Sequence, residues 1–246
     1  MSLRLEFLRN TLSFDGVDDI VTVLDSPSLD LQNAFTVALW VYPSTMPQAG
    51  VMLWKGEGDN PQYGLGTISS ESGFRYWWTK GGTRYNSPLI SVAAGAWSHI
   101  AYTYNGAVMK CYVNGADTGV DNNVSAPLDS FLTHDLLIGK RLVVAYAPFS
   151  GRIDGVRVYN RALNYNEVRI LYYGGDIRDG LVLYLPMDEG SGSTVYDKSG
   201  NNNNGTIYGA TWTQSWRDVT GRVTSLRRRI SSRQLEELEC EVIYHG

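Results

Sequence analysis

Histidine and cysteine are scarce in this chain of 246 residues, with three of the first and two of the second. Cys111 and Cys240 lie far apart and cannot build a disulfide framework or a Cys-rich zinc module. His99, His134 and His245 are the only imidazoles, and no H-E-x-x-H, G-x-S-x-G or Walker A string accompanies them. Zinc-protease, serine-hydrolase and nucleotide-hydrolysing chemistry therefore lose their usual signatures. Charge is thin as well: 19% of residues, with a formal net charge of -4, which argues against a generic nucleic-acid binder. No apolar run approaches the ~18 residues that a membrane span needs. Met1 to Asn10 lacks the apolar stretch of a signal peptide.

What the chain does have is glycine, tyrosine and tryptophan: 26, 16 and 7 residues respectively. With 43% hydrophobic residues and little charge, that composition suits an all-β protein long enough to bury a core without staples. Period-2 alternation from Thr11 to Tyr159 supports this. Runs such as Asp19–Leu24, Ala34–Tyr42, Val51–Lys55, Tyr63–Ile68 and Gly73–Lys80 read as strands. Trp97–Tyr104, Val108–Val113 and Thr118–Val124 are split by Asn105-Gly106 and Asn114-Gly115, strong hairpin signals, and so predict a meander. Leu136–Gly139, Arg152–Tyr159 and Leu181–Pro186 continue the series, Asn201–Gly205 is a turn or mobile loop, and Gly205–Trp212 closes it. One short helix is expected near 164–173. Asn164 and Glu167 form a capping-box start, Val168, Ile170, Leu171 and Tyr172 its buried side, and Gly174-Gly175 its stop.

The last segment has a different character. Arg217, Arg222, Arg227, Arg228, Arg229 and Arg233 precede Glu236, Glu237, Glu239 and Glu241. Such blocks form either a solvated face or an arm that docks on another subunit. On the second reading, residues 213–246, together with 1–9, make subunit contacts. Arg227, Arg228 and Arg229 then pair with an acidic patch on a neighbour, and Ser2–Leu8 adds a strand to its sheet edge.

In Phe74-Arg75-Tyr76-Trp77-Trp78, alternation puts Tyr76 and Trp78 on one face and Arg75 and Trp77 on the other. One face must enter the core. The other offers a ring and a guanidinium to a sugar, with Arg84, Tyr85 and Asn86 joining across a hairpin. Ordinary core and surface packing is the alternative.

Four strings carry a family resemblance: Leu12–Val23 (LSFDGVDDIVTV), Phe35–Val41 (FTVALWV), Trp97–Tyr104 (WSHIAYTY) and Phe149–Leu163 (FSGRIDGVRVYNRAL). In order and spacing they resemble the laminin-G-like jelly-roll modules of the concanavalin A-like lectin/glucanase superfamily. The resemblance implies a two-sheet antiparallel jelly-roll sandwich over residues 10–212. Asp179–Trp212 is similar to a segment that in such proteins precedes the FDGVDD strand. It is either a permuted part of the same sandwich or the start of a second repeat. Trp216–Val242 faintly resembles phage tail proteins.

The resemblance also implies a structural calcium ion, with Asp154 as a ligand, the Gly16 carbonyl opposite, and Asp15 or Asp18 beside it. The bland alternative is that Asp15 and Asp18 build a turn and Asp154 caps backbone amides. Glucanases of the superfamily use carboxylates two apart on one strand, a spacing that Glu237, Glu239 and Glu241 share. These lie in the tail, outside the sandwich, and a charged edge strand explains them. The expectation is a non-catalytic binding and structural module. It would be a virion protein (capsid, decoration or tail), a homo-oligomer or bound to other virion subunits, that meets glycans at a virion or extracellular surface. A cellular or secreted lectin and a cryptic glycoside hydrolase are the alternatives.

Overall fold

The computed structural model describes residues 6–46, 48–68, 71–131, 133–141 and 148–218, with side chains omitted for 6, 7 and 216–218. The alternating stretches become β1 (Glu6–Asp15), β2 (Ile20–Val23), β3 (Phe35–Pro43), β4 (Gly50–Glu57), β5 (Asn60–Thr67) and β6 (Gly73–Lys80). They continue as β7 (Thr83–Asn86), β8 (Ile90–Ser91), β9 (Ser98–Tyr104), β10 (Val108–Val113), β11 (Ala116–Asn123), β12 (Leu136–Ile138) and β13 (Ser150–Tyr159). After helix α1 (Tyr165–Tyr172) come β14 (Leu181–Leu185), β15 (Thr194–Val195), β16 (Gly205–Tyr208) and β17 (Thr211–Asp218).

Two antiparallel sheets form a jelly-roll sandwich. The first runs β11-β10-β9-β3-β13-β1-β17, with β14 also on β13, and the second runs β15-β16-β2-β12-β4-β5-β6-β7, with β8 also on β6. The strands of 181–218 thus lie in the same two sheets as those of 6–159. Between the sheets, Leu12, Phe14, Val37, Leu39, Ile100, Tyr102 and Ile153 face Val21, Leu53, Tyr63, Leu65, Phe74, Tyr76 and Ile138, all buried. Each such side chain taken fully out of water contributes about 1.5–3 kcal/mol.

The sandwich is wider than residues 10–212. β1 begins at Glu6 and pairs with β17 from Ser13↔Thr211 to Glu6↔Asp218. Residues 6–9 and 213–218 pair with each other within the chain, so this part of the expected subunit arm belongs to the sandwich. The reason is register: the β1–β17 ladder runs on without a break, so each segment satisfies the other's backbone.

Helix α1 lies on the outer face of the first sheet. Asn164 Oδ1 accepts from the amides of Asn166 and Glu167 at 2.9 and 3.1 Å, and Glu167 Oε2 accepts from the Asn164 amide at 2.8 Å, which completes the capping box. Val168 and Leu171 pack on Tyr112, Tyr159 and Leu163, where Ala38 and Ala101 leave room. Ile170 is exposed, contrary to the buried role expected for it. Helical spacing puts it on the far side from Val168 and Leu171. Gly174, at φ 80°, stops the helix, and its amide donates to the Leu171 carbonyl.

The asparagine run at 201–204 is a stitched corner. Asp197 accepts from the amides of Tyr184, Ser199 and Asn203, while Asn203 Nδ2 donates to the Val182 carbonyl and the Ser28 hydroxyl, each at 2.9 Å.

Candidate ligand-binding site

On the second sheet, β4, β5 and β6 place Trp54 opposite Gly64, and Gly64 opposite Trp77. Tyr63, Leu65, Tyr76 and Trp78 fill the core from the same strands, so by alternation this row lies on the outer face. A Cβ on Gly64 would stand 2.7 Å from Trp54 Cε3, and one on Gly66 3.2 Å from Trp77 Cζ3. The two indoles therefore lie across β5 where glycine leaves the strand bare. Their centroids are 5.9 Å apart at 55°.

Beside Trp54 opens a cavity of about 210 Å³, lined by Trp54, Gly56, His134, Asp135, Leu137 and Arg141 among others. The Arg141 guanidinium lies 4.6 Å from the Trp54 ring centroid, a cation–π contact. Its Nη1 donates to the Gly58 carbonyl at 3.2 Å and its Nη2 lies 2.5 Å from Asp59 Oδ1. Trp54 Nε1 and His134 Nδ1 are buried without a hydrogen-bond partner among the described residues. A buried polar atom left so is costly unless water, a ligand or another group meets it.

The loop that carries His134 is tied down from inside the sandwich. Lys55 Nζ, wholly buried, donates to the His134 carbonyl and forms ion pairs with Asp25 and with Asp30, the latter at 3.1 Å. The Asp25 amide donates to Asp135 Oδ1 at 2.8 Å. The same carboxylates, after burial itself, push the Tyr63 hydroxyl well above its ordinary range.

The four residues expected at a sugar site are divided. Arg75 and Trp77 do share the outer face, but each is engaged. Arg75 forms a bidentate pair with Glu71 at 2.9 and 2.6 Å and donates to the Ser87 carbonyl, while Trp77 is 6% exposed under its neighbours. The Arg75 hydrogen bonds hold the Glu71 carboxyl below its ordinary range. Arg84 lies opposite Thr79, on the face of Trp77. Tyr85 lies opposite Trp78 on the other face and stacks on it at 5.9 Å and 13°, so it does not join the group. Sequence reasoning missed Trp54, His134, Asp135 and Arg141 as neighbours around one cavity, because three separate segments meet there.

The expected metal ligands also separate. Asp15 and Asp18 converge with Asp19, a residue not singled out from the sequence, their carboxylates within 4.8 Å of one another at the Gly16 turn. The Asp15 amide donates to Asp19 Oδ2, and the Val17 amide to Asp15 Oδ1, both at 2.7 Å. Burial, then the charges of Asp15 and Asp18, raise the Asp19 carboxyl above its ordinary range, against the Asp15 amide bond that lowers it. Asp154 is elsewhere. Asp15 pairs with Ser150, so Asp154 lies four positions along β13, roughly 13 Å away at strand rise. There it is buried opposite Trp40, on the face that carries α1. Arg227, Arg228, Arg229, Glu237, Glu239 and Glu241 lie outside the described residues.

The chain resembles a candidate carbohydrate-binding protein from Bacteroides ovatus (19% identity, TM-score 0.66, 86% of this chain and 62% of that one). It therefore spans less than two thirds of that protein's length. The heptameric SAP-like pentraxin of Limulus polyphemus is similar over 87% of this chain and 97% of its own, at 17% identity and TM-score 0.56. Domain 4 of an extracellular arabinanase from Geobacillus stearothermophilus, solved with arabinotriose, matches 66% of this chain and 87% of its own, at 18% identity and TM-score 0.52. At these identities the likeness is one of fold. No curated protein matches the chain. The likeness of 216–242 to phage tail proteins gains no support from these comparisons. A family model described as the concanavalin A-like lectin/glucanases superfamily matches residues 15–169. With the two-sheet jelly roll in place around those residues, the chain belongs to the concanavalin A-like lectin/glucanase superfamily.

Proposed function

We propose that the chain is a non-catalytic carbohydrate-binding module whose ligand lies against Trp54. The observation that carries this is the cavity wall itself. It brings Trp54, only 2% exposed and lying beneath the Arg141 guanidinium, together with two ring nitrogens that have no hydrogen-bond partner among the described residues, which suits a small polar ligand with hydroxyl groups held in the cavity. The solved neighbours described as carbohydrate-binding or bound to arabinotriose support the same class.

A glycan array followed by calorimetry on the best ligand tests the proposal. His134→Ala and Trp54→Phe, each checked for folding by thermal melting, should weaken binding by about tenfold. An array without signal, or variants that bind like the parent, overturns it. Release of sugar from any bound glycan would overturn the non-catalytic part alone.

For the setting, our reading is display on a virion, supported only by the Arg-rich then Glu-rich C-terminal stretch of the sequence. Failure to sediment with particles removes it. For a cofactor, our reading is a calcium ion at the Gly16 turn. Its donor set of hard carboxylate oxygens from Asp15, Asp18 and Asp19 fits that ion, without Asp154.

A further inference from the structure

The outer face that carries α1 continues past the helix along β3, β13, β1 and β17. Val41, Ile153, Leu12 and Phe14 enter the core, so alternation turns Tyr42, Arg152 and Ser13 outward. Register sets these three in one row, Tyr42↔Arg152↔Ser13. From β17, Ser215 joins them.

Ser215 is 7% exposed and ties the group together. Its Oγ accepts from Trp97 Nε1 at 2.9 Å and from Arg152 Nη1 at 3.0 Å. Neither nitrogen can accept, so the two bonds take both lone pairs of the hydroxyl. The Ser215 O–H is left to donate, and it has no acceptor among the described residues.

Arg152 is held from two sides. Besides its bond to Ser215, its guanidinium carbon lies 5.1 Å from the centroid of the Tyr42 ring, which meets Trp97 at 5.7 Å and 60°. No carboxylate forms an ion pair with Arg152 among the described residues. Asp154, two positions along β13, is buried opposite Trp40 and makes no ion pair with it. Arg9, opposite Ser215 on β1, has Asp188 for a carboxylate, at 3.8 Å. Nε and Nη2 of Arg152 therefore keep their N–H groups, on a half-buried side chain that solvent reaches.

What Arg152 and Ser215 leave open is donors alone, one set of them charged. Such a cluster takes an oxyanion. A guanidinium already fixed by a ring and a hydrogen bond loses little freedom when that oxyanion arrives. Tyr42 and Trp97, both half-buried, offer ring surface to the apolar side of the molecule that bears it.

We propose that this face holds an oxyanion site for an acidic saccharide. The ligand's carboxylate or sulfate accepts from Arg152 and Ser215, and its sugar ring rests against Tyr42 and Trp97. The site belongs to the first sheet and the Trp54 cavity to the second. The saccharide part rests on the carbohydrate-binding reading, and the oxyanion part does not.

The test is calorimetry on the full chain with three kinds of probe. They are uronate oligosaccharides beside their methyl esters, sulfated oligosaccharides beside their desulfated forms, and sodium sulfate alone. At least one acid should bind about tenfold or more tightly than its neutral partner, with the advantage shrinking in high salt. Arg152→Gln should abolish the advantage and Ser215→Ala should reduce it, while Arg178→Gln, which removes an exposed arginine elsewhere, should retain it. Melting curves establish that each variant is folded. Equal binding within every pair overturns the site. So does an advantage that survives in folded Arg152→Gln, is undiminished in folded Ser215→Ala, or is lost equally in Arg178→Gln. Sodium sulfate binding as tightly as the acidic oligosaccharides removes the sugar and keeps the oxyanion. Binding of neutral glycans alone overturns the site and leaves the carbohydrate reading in place. Absence of binding by every glycan and by sulfate overturns both.

Discussion

The buried ammonium of Lys55 donates to the backbone carbonyl of His134 at 2.5 Å, so a side chain inside the sandwich sets the position of a cavity wall. Removing it strands Asp25 and Asp30 without their cation. Lys55→Met should cost about 3 kcal/mol in chemical denaturation, in line with breaking a buried ion pair from one side. If the tie matters to the cavity, Lys55→Met should also lose glycan affinity under conditions where it is still folded.

Gly64 is required by the indole that covers it. A methyl there stands 2.7 Å from Trp54 Cε3 and 3.0 Å from Cζ3, so Gly64→Ala must tilt the ring. The expected cost is about 1–3 kcal/mol, as for other over-packed sites. A change in tryptophan fluorescence should accompany it in the folded protein. An unaltered melt and spectrum would refute the contact.

The helix cap predicts an acid response. Glu167 accepts from Arg161 Nη1 and Nη2 at 3.0 and 2.7 Å, which, with the smaller help of the Asn164 amide, holds its carboxyl below the ordinary 4.5 despite partial burial. The folded state thus binds this proton more weakly than the unfolded chain. The stabilisation is complete above that ordinary value and drains away as pH falls through it towards the folded value. Glu167→Gln should be less stable than the parent at neutral pH, with the gap narrowing from about pH 5 downwards. A constant gap across that range would contradict the pairing.

Cys111 lies wholly buried between the sheets, and desolvation pushes its thiol far above the ordinary range. Thiolate is the reactive form. The peptide containing Cys111 should escape iodoacetamide in the native protein and be alkylated fully after unfolding, as read by mass spectrometry. Rapid native labelling would show that the core opens there.

Calcium should raise the melting temperature if the Gly16 turn holds it, by RT ln(1 + [L]/Kd) in free-energy terms. Asp18→Asn should erase the increment. A melt indifferent to calcium and to a chelator would remove the ion from the account.

Much of the fold was legible because its signals are local. Asn105-Gly106 and Asn114-Gly115 mark two turns of the β9–β10–β11 meander, and Asn164 with Glu167 marks the start of α1. Alternation also put Arg75 and Trp77 on one face correctly. It could not say that Tyr85 lies opposite Trp78 and not Trp77, since that parity depends on the turn at 81–82. Asp154 was misplaced for a related reason: its distance from Gly16 is a matter of register between β1 and β13, which no single stretch encodes. The cavity was missed because Trp54, His134 and Arg141 come together only when β12 pairs with β4. The extension of the sandwich to Glu6 and Asp218 was hidden by the charge that begins there.

That last pairing has a mechanical meaning. Glu6 and Asp218 are directly opposite one another in antiparallel β1 and β17, so both strands enter and leave at one corner. Tension applied across those two points acts along the inter-strand hydrogen bonds, which lie perpendicular to the strands. The ladder would then part rung by rung, as a zip does, and never share the load in shear. A tethered copy would yield first along this seam, at low force, with the Trp54 face on the other sheet still intact.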